Sequence, residues 1–154
     1  MRVIIQRVKK ARVCVVDEGE LIEAGKISHG MALLIGVHRE DTENVARSLA
    51  EKVSVLRIME DDAGKMNLSI QDVNGSILAV SNFTLYADSR KGRRPSFEEA
   101  AKGHQAEKLY ELFCDTLELR GIKVAKGVFG AHMEVELTND GPVTLILELM
   151  AAQL

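Results

Sequence analysis

Gly30-Met31-Ala32-Leu33-Leu34-Ile35-Gly36-Val37 is the stretch of this sequence that decides the fold. It is a continuous apolar run of strand length that starts at a glycine, and such a run is typical of a strand buried on both faces. Ser76-Ile77-Leu78-Ala79-Val80 has the same character and ends where a polar cluster begins. These two runs predict the buried centre of a β-sheet.

Further strand candidates surround this centre on both sides. Several are joined by short turns, which favours antiparallel pairing. About seven strands and about three helices predict a mixed α/β domain around a curled, mostly antiparallel, barrel-like sheet. At 154 residues the chain is predicted to be one domain, residues 1–154. The candidates are residues 2–8 continuing through 12–16, then 21–24, 122–128, 132–137 and 143–149, with a short one at 56–59 and a loop at 60–69.

Three segments carry helix signals. Apolar residues with helical spacing follow Asp41 and Thr42, either of which suits the N-cap, and the spacing extends for about three turns. Ser96 followed by Glu99 has capping-box spacing and predicts a second helix that begins there. Residues 104–119 continue that helix or form a third.

Composition excludes several classes of protein. Charges interrupt the first apolar run, so it lacks the core of a secretory signal, and no segment approaches the roughly 18 apolar residues of a membrane helix. We therefore expect a cytosolic protein without membrane contact. Cys14 and Cys114 lie in apolar patterns typical of buried hydrophobes. The four histidines are too far apart for a local metal motif, and we expect no metal and no cofactor.

The cations are unevenly distributed along the chain. The net charge is −3, which gives no overall attraction to nucleic acid. Arg90, Lys91, Arg93 and Arg94 nevertheless lie within one short segment. They form a single basic patch on an otherwise acidic chain.

Ser81-Asn82-Phe83-Thr84 places polar groups at the end of a buried strand, close in sequence to the basic patch. One interpretation is a strand end whose Ser, Asn and Thr side chains satisfy a turn. The other is catalytic, because hydroxyl and amide groups on a rigid strand end can donate to a carbonyl oxygen as it becomes an oxyanion. These residues alone do not identify the reaction.

Asn139-Asp140-Gly141-Pro142-Val143-Thr144 joins two apolar strands. Asn-Asp-Gly-Pro is a strong turn signal. It also suits a ligand contact, because Gly lets the backbone approach closely and an X-Pro bond can be cis at small cost. A cis bond here would make a rigid backbone probe.

Together these segments resemble the D-aminoacyl-tRNA deacylase family over essentially the whole chain. The family's second motif, Asn-x-Gly-Pro-x-Thr, is complete at residues 139–144. Its first is usually Ser-Gln-x-x-Thr, and Asn82 stands here in place of the glutamine, which shortens the reach of the amide by one methylene. Five blocks in the family's order carry the resemblance: residues 1–8, 81–88, 91–97, 129–133 and 139–144.

The resemblance implies hydrolysis of the ester that joins a D-amino acid to the terminal ribose of tRNA, with glycine mischarged on tRNA-Ala as a further substrate. It implies a homodimer in which the loop at Gly141 and Pro142, with a cis bond, crosses into the partner's active site and rejects L-amino acids. Arg7 would hold this loop, and Met133 and Asn139 complete the substrate-binding set. The tRNA acceptor stem would be bound through its phosphates by Arg90, Lys91, Arg93 and Arg94.

The same resemblance assigns catalysis to Ser81, Asn82, Phe83 and Thr84. Thr84 is a nucleophile candidate under the usual hydroxyl-activation scheme. No base lies near it in sequence, so we prefer a positioning role. Backbone N–H groups of Phe83 and Thr84, with the Ser81 hydroxyl, would then stabilise the oxyanion while the ribose 2′-hydroxyl assists attack by water.

Two other functions stay open on the sequence. A dimeric RNA-binding module without catalysis would use the same basic patch, and Asn82 keeps this alternative open. A hydrolase of small esters would need no basic patch and would ignore tRNA.

Overall fold

The computed structural model describes residues 1–153, which form eight strands and two α-helices. Within these residues, no helix has the length and apolar composition needed to cross a membrane. Two short 3-10 helices cover Phe83–Tyr86 and Ala151–Gln153. The longer elements are β1 (Arg2–Asp17), β2 (Glu20–Ile27), β3 (Gly30–Gly36), α1 (Glu43–Ser54), β4 (Met59–Glu60), β5 (Met66–Leu68), β6 (Ser76–Ser81), α2 (Gly103–Leu119), β7 (Lys123–Lys126) and β8 (Met133–Glu148).

β1 is the centre of the main sheet because it pairs with three other strands. β8 lies antiparallel along one edge of β1, while β3 and β2 share the other edge, also antiparallel. β6 and β7 extend the sheet beyond β3 as parallel strands. The predicted mixed α/β class with a mostly antiparallel sheet is confirmed.

The sheet curls until β2 approaches β7. A Cβ atom on Gly25 of β2 would lie 2.8 Å from the carbonyl oxygen of Lys126 in β7, so this approach requires glycine. A separate apolar cluster fills the inside of the curl, which gives the predicted barrel-like core. Its buried members are Val8, Ala11, Val13, Ile27, Ala32, Leu78 and Val80.

The larger apolar core lies between the opposite face of the sheet and the two helices. Val3 and Ile5 of β1 belong to this core, whereas Val8 and Val13 belong to the cluster inside the curl. Side chains alternate between the two faces of a regular strand, so residues at an even spacing, such as Ile5 and Val13, should face the same side. These two face opposite sides, which requires an irregularity in β1 between them. The register between β1 and β8 shifts on either side of Val8. The irregularity lies next to Arg7, where it shapes a part of the candidate site described below.

The N-terminus of α1 distinguishes between the two predicted caps. The hydroxyl of Thr42 accepts the N–H of Val45 at 3.4 Å, which makes Thr42 the N-cap. The carboxylate of Asp41 instead accepts the N–H of His38 at 2.7 Å and forms a buried ion pair with the ammonium group of Met1.

The helix predicted to begin at Ser96 is absent from the structure, and this prediction was wrong. The hydroxyl of Ser96 accepts the N–H of Glu98 at 3.4 Å, while the Glu99 carboxylate lies 2.8 Å from Nε2 of His38. A capping box needs the Glu side chain to return to the N-cap, and here a long-range contact holds it elsewhere. α2 begins only at Gly103, so residues 1–153 contain two α-helices where about three were predicted.

Strand boundaries also differ from the prediction. Residues 2–16, predicted as a run that continues to the turn at 17–20, form one long strand, β1, as expected, whereas residues 132–137 and 143–149, predicted as two strands, fall largely within one strand, β8. The two long strands pair with each other from Arg2 to Val15, and this tertiary pairing overrides the local turn signals. The loop predicted at 60–69 contains β5 and the end of β4, which form a short antiparallel pair.

Candidate active site

A pocket of about 580 Å³ opens where β6 ends. Ser81, Asn82, Phe83 and Thr84 all line it. β6 runs parallel to β3, and the N–H of Asn82 donates to the carbonyl of Ile35 at 2.8 Å, so the first predicted motif emerges from the buried centre of the sheet. The rigid strand end that the sequence predicts therefore forms one wall of a cavity.

The backbone turns sharply inside this motif. Asn82 is extended, with φ −143° and ψ 90°, and Phe83 begins a single 3-10 turn. The first N–H groups of a helix have no partner within the helix. Among residues 1–153, the N–H groups of Phe83 and Thr84 donate no hydrogen bond, so two neighbouring donors remain available to a ligand.

The hydroxyl of Thr84 already has a partner. It donates to Oδ1 of Asn82 at 2.6 Å. An amide oxygen is not a base and cannot activate a hydroxyl as a nucleophile. This geometry favours a positioning role for Thr84, and it gives Asn82 a structural contact within the motif.

Residues 129–133 also line the pocket. Met133 lies beneath Gly127, where a Cβ atom would stand 2.8 Å from the methionine sulfur, and the N–H of Val128 points at the same sulfur at 3.3 Å. The carbonyl of His132 accepts the N–H of Val16 at 2.9 Å, which fixes this segment to β1. Met133 thereby lies in the same pocket as the first motif.

His132 also lines this pocket, a position that the sequence analysis did not predict for any of the four histidines. Among the described lining residues it is the single titratable side chain. Its placement depends on the fold of residues 127–133, and the sequence carries no local signal for it. Across the described part of the chain, no group of three or more His, Cys, Asp or Glu side chains could hold a metal ion.

The second predicted motif forms a bulge in β8. Gln6 pairs with Thr144 and Val8 pairs with Asn139, so the four residues 140–143 stand opposite Arg7 alone. The peptide bond between Gly141 and Pro142 is cis. Gly141 has φ +127°, and a Cβ atom there would lie 2.9 Å from the main-chain nitrogen of the residue after Pro142. This backbone conformation is essentially restricted to glycine.

Arg7 and Asn139 brace the bulge. The buried Arg7 guanidinium donates through Nε to the carbonyl of Asp140 at 3.2 Å and through Nη2 to Glu60 at 2.8 Å. The Asn139 side chain accepts the N–H of Val143 at 3.1 Å and donates to the hydroxyl of the next residue, a threonine, at 3.0 Å. The bulge is therefore a fixed structure with an exposed tip.

The structure does not bring the two motifs together within one chain. Gly141 and Pro142 are exposed and do not line the pocket that contains Ser81 to Thr84. Among the described residues, β8 pairs only with β1, which leaves the other edge of this strand open.

The predicted basic patch forms an exposed loop close in sequence to the pocket motif. Main-chain hydrogen bonds between Asp88 and Ser96, at 2.8 and 2.9 Å, close the loop at its base. Arg90 pairs with Asp88 at 2.8 Å, and this hydrogen bond lowers the pKa of the Asp88 carboxyl to about 2. The remaining cations, Lys91, Arg93 and Arg94, are exposed further out on the loop. We refer to residues 89–95 as the basic loop.

Comparison with known proteins places the chain in a family. The model of the D-Tyr-tRNA(Tyr) deacylase family matches residues 4–148. The chain belongs to this family. A relative from Halalkalibacterium halodurans, named D-aminoacyl-tRNA deacylase, is 57% identical over 96% of this chain and 99% of the relative. A relative of the same name from Geobacillus sp. is 56% identical over 96% of this chain and 95% of the relative. The prediction that this protein is a deacylase, which is a kind of hydrolase, is confirmed.

Two solved structures share the fold of this chain. The structure of the c-Myc DNA unwinding element binding protein is 38% identical, with a TM-score of 0.87, and the match covers 98% of this chain and 100% of that one. A probable eukaryotic D-amino acid tRNA deacylase has a TM-score of 0.81 at 17% identity, over 96% of this chain and 98% of that one, and shares the fold. The curled sheet with its two helices is thus a fold that solved structures also contain.

Proposed function

We propose that this protein hydrolyses the ester bond of D-aminoacyl-tRNA in the cytosol and releases the free D-amino acid and the tRNA. The observation that carries the proposal is the pair of available N–H groups at Phe83 and Thr84 in a pocket next to a basic loop. Such donors stabilise the oxyanion that forms when an ester is attacked. The cations of the loop suit a polyanionic substrate.

Water is the nucleophile in this proposal. It attacks the carbonyl carbon of the ester, the bond from that carbon to the ribose oxygen breaks, and the ribose oxygen leaves with the proton that the attacking water gives up. The N–H groups of Phe83 and Thr84 and the Ser81 hydroxyl hold the carbonyl oxygen while it carries negative charge. The neighbouring 2′-hydroxyl of the ribose assists the attack.

Selectivity comes from a second subunit. The protein acts as a homodimer in which the Gly141-Pro142 bulge of each subunit enters the pocket of the other. Three features support this arrangement: the bulge is exposed, it is braced by Arg7, and it lies outside the pocket of its own chain. An L side chain would collide with this backbone, whereas a D side chain or the hydrogen of glycine would not. Glycine mischarged on tRNA-Ala is therefore also a substrate.

Thr84→Ala is expected to keep deacylase activity within about tenfold of the unaltered protein, because it removes one hydrogen bond and no nucleophile. The measurement is single-turnover ester loss from D-aminoacyl-tRNA. Thr84→Ser, which keeps the hydroxyl, is the matched control. Complete loss of activity in Thr84→Ala, with folding and tRNA binding intact, would restore Thr84 as the nucleophile.

Replacing both Arg93 and Arg94 by Gln is expected to weaken binding to every tRNA and to flatten the plot of log affinity against log salt by roughly one unit per cation. Filter binding at several salt concentrations measures the slope. The control replaces Arg47 and Lys52, two cations of α1 outside the pocket lining, and should leave the slope unchanged. An unaltered slope in the first variant would exclude Arg93 and Arg94 from phosphate contact.

Incubation with charged tRNA and with the methyl ester of the same D-amino acid tests the proposed function against its two alternatives. We expect ester loss from the tRNA and little from the methyl ester. An RNA-binding module without catalysis would bind the tRNA and leave its ester intact. A hydrolase of small esters would cleave the methyl ester and ignore tRNA.

A further inference from the structure

Two phenylalanine rings are exposed at the rim of the pocket. Phe83 is 56% exposed and Phe97 is 38% exposed. Their ring centroids lie 5.1 Å apart with an interplanar angle of 64°, an edge-to-face pair. Single exposed apolar residues are common, but a paired aromatic surface next to a cavity is typical of a ligand contact.

Phe97 is held in place by main-chain hydrogen bonds on both sides. Before it, Ser96 exchanges two hydrogen bonds with Asp88, at 2.8 and 2.9 Å. After it, the N–H of Ala101 donates to the carbonyl of Val37 at 2.9 Å, just beyond the end of β3. The ring is thus presented on a rigid support, which lowers the entropic cost of binding.

The pair lies between the pocket and the cations. Phe83 lines the pocket, and Phe97 follows Arg94 by three residues, a span of at most about 10 Å. Two of the neighbouring carboxylates are engaged, since Asp88 pairs with Arg90 and Glu99 pairs with a histidine and an arginine beyond β3. A chain of nucleotides that reaches from the basic loop into the pocket can therefore lie across the two rings.

We propose that Phe83 and Phe97 form a stacking platform for an unpaired base of the tRNA 3′ end, next to the terminal nucleoside that carries the ester. The inference rests on the proposed function. Unpaired bases stack on aromatic side chains, with a gain on the order of tenfold or more in affinity per base, and proteins combine such stacking with cations that track the backbone. A ring reads no base identity, so the platform accepts different bases at this position.

A series of substitutions at Phe97 tests the platform without altering the catalytic backbone. Phe97→Tyr keeps the aromatic face, Phe97→Leu keeps apolar bulk, and Phe97→Ala removes both. Steady-state kinetics are compared on D-aminoacyl-tRNA and on D-aminoacyl-adenosine, which has the ester and the terminal nucleoside but no preceding base. We expect Phe97→Leu and Phe97→Ala to raise KM about tenfold for the tRNA only, with kcat unchanged, and Phe97→Tyr to match the unaltered protein.

Three outcomes would overturn the platform. They are an unchanged KM for the tRNA in the Leu and Ala variants, an equal rise in KM on both substrates, and a change in oligomeric mass, which would show that the rings pack against a second copy of the chain. Binding of uncharged tRNA with 2-aminopurine next to its terminal nucleoside provides an independent measurement. If the unaltered protein quenches the fluorescence of 2-aminopurine and Phe97→Leu does not, stacking is supported even if neither ester is cleaved. Absence of ester cleavage would refute only the proposed function.

Discussion

Phe83→Pro is expected to lower kcat for D-aminoacyl-tRNA by about 10²- to 10³-fold relative to Phe83→Ala, the cost of removing one oxyanion donor. Both variants lose the same ring, so the difference between their kcat values measures the contribution of the main-chain N–H of residue 83. The fold should accept the proline. Phe83 is the first residue of a 3-10 helix, its N–H has no partner in residues 1–153, and the preceding Asn82 is extended.

The KM values of this pair separate the two roles assigned to Phe83. Loss of the ring should raise KM for tRNA in both variants, whereas loss of the N–H should lower kcat only in Phe83→Pro. Thermal unfolding checks that both remain folded. Equal kcat values in the two variants would show that the N–H of Phe83 takes no part in catalysis.

Gly141→Ala is expected to lower kcat/KM for D-aminoacyl-tRNA by about 100-fold, because a shift of roughly 1 Å at a positioning group can cost this much. Gly141 has φ +127°, and the added Cβ would lie 2.8 Å from Cγ2 of Val143 and 2.9 Å from its nitrogen. The bulge must therefore move. Gly19→Ala is the matched control, since Gly19 also has a positive φ, of +87°, but nothing lies within 4 Å of an added Cβ.

Mixed dimers of Gly141→Ala and Phe83→Pro subunits test whether the bulge acts in the partner's pocket. If it does, each mixed dimer contains one intact site, and about half of the unaltered activity should return. Two affinity tags allow the mixed species to be isolated. If bulge and pocket served the same chain, every site would carry one defect and the mixed dimers would stay inactive.

The parts of the molecule that could be predicted from sequence are those governed by local pattern. The apolar runs at 30–37 and 76–80 became β3 and β6, and the polar residues that follow the second run lie in the pocket. A buried strand that ends at a cluster of hydroxyl and amide groups is recognisable from a few consecutive residues, so local pattern is enough to predict it. The family resemblance then supplied the reaction, which the residues alone left open.

The errors arose where distant residues decide a local conformation. Ser96 and Glu99 have the spacing of a helix cap, but His38, far away in sequence, holds the Glu99 side chain. The turn signal at residues 139–142 lies within β8 because β1 pairs on both sides of it. His132 reaches the pocket through its hydrogen bond to β1 and the packing of the methionine that follows it. No periodicity in the sequence encodes such contacts.

The most direct test of the proposed function is the rate of ester loss from one tRNA that carries either a D-amino acid or its L counterpart. Both substrates are incubated with the protein under identical conditions and compared with spontaneous hydrolysis. We predict rapid loss of the D ester, while the L ester decays at its spontaneous rate. Equal acceleration of both esters would contradict the proposed rejection of L-amino acids, and acceleration of neither would contradict deacylation itself.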